Sequence, residues 1–192
     1  MGLTHIQELE GRRQSLSLCY TPGMKAPAMF VLLAGFSALV VTAQQPTPSV
    51  DVPQGARVVL QAKGDGVQIY TCTETPTGVK WMLTRPDAKL LDASGRVIGA
   101  HFAGPTWRLN DGGQVQGQNP RELPNPHDGS IAWLLIDAKP GTATGSLAAV
   151  ANITRTETHG GLAPASGCQS AQDVAKTVQV PYTAAYTFYA AK

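Results

Sequence analysis

Beyond residue 53, apolar and polar positions alternate with a period of two along most of the chain, the pattern of strands with one face covered. In "RVVLQA", Val58, Leu60 and Ala62 share a face. In "VQIYTCTE", Val67, Ile69 and Thr71 oppose Gln68, Tyr70 and Cys72. "VKWMLT" turns Val79, Trp81 and Leu83 inward. "RVIGAHFA" follows the turn signal Ala93-Ser94-Gly95, and "TWRL" and "QVQG" flank Asp111-Gly112-Gly113 as a hairpin. "SIAWLLID" is almost continuously apolar, as a strand covered on both faces would be, and "GSLAAVANITRTET" has the length of a bent strand. The tail alternates Val178, Val180, Tyr182, Ala184, Tyr186 and Phe188, with Pro181 marking an edge or a bulge. Only "SAQDVAK", 170–176, has brief helical character, and the polar stretch 117–129 reads as a long loop.

This pattern predicts an all-β single domain over 54–192, a barrel or sandwich of about eight or nine mostly antiparallel strands with one short helix at most. The 20 glycines and 14 prolines of the 192-residue chain suit so many turns. Residues 44–53 form a polar tether.

The N-terminal part reads differently. Lys25, the apolar run Ala28 to Val41 and the small residues Val41-Thr42-Ala43 make the three parts of a secretory signal, with cleavage before Gln44. The run is shorter than the ~20 residues a spanning helix needs, so no stable membrane span is expected. Residues 1–23 are mixed and polar, which makes Met24 the better start and 1–23 a mis-called extension. The expected location is secreted or periplasmic. A formal net charge of +2 without a basic stripe argues against nucleic acid as a partner. Of three cysteines, Cys19 lies in the leader, and the pair left in an exported chain, Cys72 and Cys168, reads as a disulfide.

Two stretches, "VPQGARVVLQAKGDGVQIYTC" and "WMLTRPDAKLLDASGRVIGAHFAGPTW", carry the motifs G-x-G-x-Q-x-Y-x-C, P-x-A-x-L-x-D-x-x-G and H-F-x-G-P-x-W. With these the chain resembles a secreted bacterial and fungal family, domain of unknown function 3455, across roughly 52–190. The resemblance implies export and a β-rich domain but no activity or cofactor. Some fungal members are called malate dehydrogenase. That name finds no support here, because no Gly-x-Gly-x-x-Gly opens a helix after a strand.

The chemistry-bearing residues centre on "GAHFAGPTW". His101 shares a face with Val97 and Gly99; if Ile98, Ala100 and Phe102 face the core, His101 faces a cavity, a groove or solvent. Gly99 would then admit a ligand or a second backbone. The alternative is a histidine that pins the turn by a hydrogen bond. Gly104-Pro105 swings Trp107 back over the strand, which makes Trp107 the ligand-facing tryptophan and leaves Trp81 and Trp133 to the core. The ligand-binding candidates are His101, Trp107, Asp111 and Tyr70.

A metal needs three or four converging ligands. His101, His127, His159, Asp111, Asp128 and Glu157 include no pair of histidines at i, i+2, and His159 falls in a turn-like "THGG", so neither metal nor other cofactor is expected. No Gly-x-Ser-x-Gly elbow is present. Asp65, Asp87, Asp92, Asp111 and Asp128 mostly neighbour glycine or proline, where aspartate is an ordinary turn former. Three readings follow. The first is a domain that binds a small molecule or an envelope component without catalysis. The second is an extracellular hydrolase or metal-assisted enzyme using His101 with a carboxylate. The third is a structural envelope protein. Binding predicts a preformed groove beside Trp107.

Overall fold

The computed structural model describes residues 51–123, 125–126 and 129–192, so the proposed signal segment, the proposed start at Met24, His127 and Asp128 lie outside the described residues. Eight strands follow in order: β1 Arg57–Thr75, β2 Gly78–Leu91, β3 Val97–Phe102, β4 Thr106–Leu109, β5 Gln114–Leu123, β6 Trp133–Ala138, β7 Val150–Gly160 and β8 Thr177–Ala190. Each pairs antiparallel with the next, and β8 returns to β1, closing an up-and-down barrel. Closure leaves no unpaired sheet edge, so every ladder donor and acceptor can find a partner. The short helical elements are 3₁₀ turns at Gly145–Leu147 and Ala171–Asp173, the second inside the segment expected to be helical. Among the described residues no helix is long and apolar enough to cross a membrane.

The long strands β1 and β8 carry much of the interior. Ala62, Gly64 and Gln68 are buried along β1, and Tyr182, Ala184, Tyr186, Phe188 and Ala190 are buried at every second position of β8. Leu90, Trp107, Val115, Leu147, Ile153 and Phe188 are wholly enclosed. Burying side chains of this size contributes roughly 1.5–3 kcal/mol each. The apolar "SIAWLLID" yields β6, whose Trp133, Leu135 and Ile136 are buried on both of its faces.

Several local expectations change, each for a physical reason. Val59 is an extra residue between the pairs Val58↔Tyr189 and Leu60↔Phe188, and this bulge turns Val58 out to 50% exposure. Leu83, expected inward, is 53% exposed because β2 has reached the rim of the barrel there. The stretch 117–129 is not one loop: β5 runs through Leu123, and its irregularity is a register shift between Gln118 and Arg121, with Asn119 at φ 48°. Asp65 and Asp87 lie in β1 and β2 rather than in turns, and His159 lies in β7 opposite Thr183.

Pro181 lies at a local edge of β8, paired with Val67 of β1 on one side and beyond the β7 ladder on the other. It follows the last β7–β8 pair, Gly160↔Tyr182, and its carbonyl on that side accepts from Gly161 N–H. A residue's N–H and C=O point the same way in a strand, so the missing donor faces the side where β7 has already ended.

Cys72 and Cys168 are joined by a disulfide, with their Cα atoms 5.4 Å apart. Cys72 N–H also donates to Lys176 O, and Ala175 N–H donates to Cys72 O. Trp81 Nε1–H donates to Ser166 O. The β7–β8 connection is thereby fastened to β1 and β2.

Candidate functional site

The turn 103–105 folds β4 back on β3 so that His101 pairs with Trp107. The imidazole and indole planes stack at 4.4 Å between centroids and 7° between planes. Tyr186 from β8 meets both rings edge-on, at 5.2 Å from His101 and 5.6 Å from Trp107. Gly117 makes the arrangement possible: a Cβ there would come within 3.1 Å of the Trp107 ring and 2.6 Å of Ile136 Cγ2. The residues that face the interior on β3 are Gly99 and His101, while Ala100 is exposed and Phe102 is half-buried beneath the Arg108 guanidinium. His101 is therefore 3% exposed and Trp107 is completely enclosed. The expected division of the tryptophans is corrected accordingly. Trp107 and Trp133 belong to the interior, and Trp81 is only partly covered.

A cavity of about 240 Å³ opens beside this stack at the end of the barrel that carries the β3–β4 turn. Its wall includes Gln68, His101, Trp107, Arg155 and Tyr186, with Leu134 and Ile136 supplying apolar surface. This lies just below the ~300–1,000 Å³ of common ligand sites and so suits only a small occupant.

Three polar groups at the cavity are unusual. Gln68 is 2% exposed, yet its Oε1 is buried with no partner among the described residues, and neither the buried Trp107 Nε1–H nor that of Trp133, outside this wall, has one. Leaving such a group unpaired costs about 1–3 kcal/mol. His101 Nδ1 lies 3.0 Å from Thr106 O. A carbonyl only accepts, so Nδ1 carries the proton and Nε2 keeps its lone pair. Burial pushes the ring pKa down to about 4, against the favourable bond to Thr106 and with further lowering by the Arg155 charge. His101 is thus a neutral acceptor at neutral pH.

Arg155, on β7, is the cation of the site. Its Nε and Nη2 both donate to Ala132 O, at 3.2 and 2.8 Å. No carboxylate pairs with it among the described residues. Arg85, also at the rim, is paired with Asp87 at 3.1 Å. Burial holds the Tyr186 hydroxyl well above its ordinary pKa despite Arg155, and its oxygen lies 3.2 Å from Tyr182 Oη.

His101 and Trp107 therefore come together at the cavity. Tyr70 instead donates its hydroxyl to Gly161 O at 2.6 Å, tying β1 to the β7–β8 connection. Asp111 lies in the β4–β5 turn, at the opposite end of the barrel, where its Oδ1 accepts from Gly113 N–H at 2.8 Å. That bond, then one to Ser146, lowers its pKa. Asp111 borders a separate open groove with Val97, Leu109 and Leu147. Gln68 and Arg155 were not among the sequence candidates. The one available signal was a polar residue at an inward position of an otherwise apolar strand. No group of three or more His, Cys, Asp or Glu side chains that could hold a metal ion is found among the described residues.

A family model described as "Protein of unknown function (DUF3455)" matches residues 53–190. The chain belongs to this family. The DUF3455 match takes in all eight strands of the barrel, the disulfide and every residue of the cavity wall named above. No curated protein and no solved structure matches the chain.

Proposed function

We propose that this DUF3455 barrel is an exported protein that binds a small molecule in the cavity beside Trp107, without catalysis. The unpartnered Gln68 Oε1 carries the reading, together with the unpartnered indole N–H of Trp107, a residue of the same cavity wall. Buried polar groups normally find partners, and a ligand that supplies them turns a standing destabilisation into affinity. His101 favours binding over general-base chemistry, because its Nδ1–H is taken by a backbone carbonyl rather than by a carboxylate that could orient and charge the ring. The buried disulfide suits an oxidising compartment, in keeping with the leader ahead of Gln44.

The test is a protein-observed NMR screen of neutral, cationic and anionic fragments, with binding followed at the Trp107 indole N–H resonance. Fragments that bind are expected to move that resonance and to lose affinity in Leu134→Trp, which fills the cavity. A screen whose hits leave the Trp107 signal unmoved and tolerate Leu134→Trp rejects this site.

A further inference from the structure

The charge distribution around the cavity narrows the ligand class, an inference that rests on the binding reading above. The wall contains two cations, Arg85 and Arg155, and no Asp or Glu. Arg85 is already paired with Asp87. Arg155 has two of its donors on one backbone oxygen, Ala132 O, and lies against the Tyr186 hydroxyl, yet its positive charge has no carboxylate among the described residues. A guanidinium held partly out of water against aromatic rings favours an anion that accepts from its remaining edge. The other walls are Leu134, Ile136 and the rings of His101, Trp107 and Tyr186, which suit a flat apolar body.

We propose that the cavity takes a small monoanionic carboxylate with a planar apolar body, its charge set against Arg155. One oxyanion matches the single unneutralised guanidinium, whereas a dianion such as a phosphate ester would leave a second charge among apolar walls. Trp107 on this wall carries a second donor, its indole N–H, while Gln68 Oε1 only accepts and so calls for a hydroxyl or amine on the ligand's planar body.

Benzoate, benzamide and benzamidine share size and shape and differ in charge, so calorimetric titration of all three at neutral pH isolates the charge preference. Benzoate is expected to bind at least about tenfold more tightly than benzamide, the scale of one charge-assisted hydrogen bond, with benzamidine weakest. Arg155→Met should remove that advantage, so that benzoate no longer binds more tightly than benzamide to the same variant. Should Arg155→Met fail to fold for want of its Ala132 bonds, the wild-type ranking still decides. Benzamide or benzamidine binding as tightly as benzoate overturns the carboxylate assignment. So does silence from all three probes when the fragment screen finds another occupant, and in both cases the binding reading stands. A screen with no occupant at all overturns both.

Discussion

His101 lies flat against Trp107, their ring centroids 4.4 Å apart and their planes 7° from parallel, with the histidine's one donor held by Thr106 O. The stack joins the β3–β4 turn to the interior, so neither ring is a detachable surface feature. This changes what substitution at either position is expected to do.

Trp107→Ala should behave as a full core truncation and lose ~3–5 kcal/mol, comparable with Trp133→Ala. His101→Ala removes a stacked ring and a buried hydrogen bond and should lose about 2 kcal/mol. Denaturant unfolding of the three variants checks this order. A His101→Ala protein as stable as wild type would contradict the buried stack.

The pH dependence of stability should carry the mark of His101. Its pKa falls from 6.5 to about 4 on folding, so between those values the unfolded chain binds more protons than the native one. Stability from this group is therefore complete above pH 6.5 and falls as pH drops toward 4, by a total of ~3 kcal/mol. The hydrogen-bonded carboxylates of Asp92, Asp111 and Asp173 are held below their usual 3.8 and lose their contribution only beneath it. Unfolding measured across pH 4–6.5 should show a slope that His101→Phe flattens.

Gln68→Met should separate stability from binding. The substitution keeps the side chain's length and removes a buried carboxamide whose oxygen has no partner, which should stabilise the free protein by about 1 kcal/mol. The same change should weaken whatever occupies the cavity. A variant that is less stable than wild type, with affinity unaltered, would show that Gln68 is an ordinary interior residue.

Reduction should loosen the β7–β8 connection before it opens the barrel. The Cys72–Cys168 bond closes a separation of 96 residues, worth up to ~4.7 kcal/mol where loop entropy alone counts. Closure of the sheet depends on the ladders of β8 with β1 and β7. Non-reducing peptide mapping should recover Cys72 and Cys168 linked. The double serine variant should keep its β-sheet circular dichroism while amide exchange quickens in residues 161–176.

Export is checked by intact mass: the mature N-terminus should be Gln44, and a membrane-bound product retaining residues 24–43 would contradict it.

Strand character was readable from alternation, because a pleated strand presents successive side chains to opposite faces whatever its partners are. Tyr182, Ala184, Tyr186 and Phe188 were thus assigned to one buried face before any neighbour was known. The cysteine pair was readable too, since few other uses exist for two thiols in a chain read as exported. Closure was not, because a barrel and a sandwich share the same local pattern and differ only in whether β8 finds β1. Nor was the facing of single residues near irregularities, since the extra residue Val59 reverses parity with no mark in the sequence. The cavity depended most on tertiary structure. Gln68, His101, Trp107, Arg155 and Tyr186 come from five different strands, and which polar atoms go unpaired among them follows from how those strands meet.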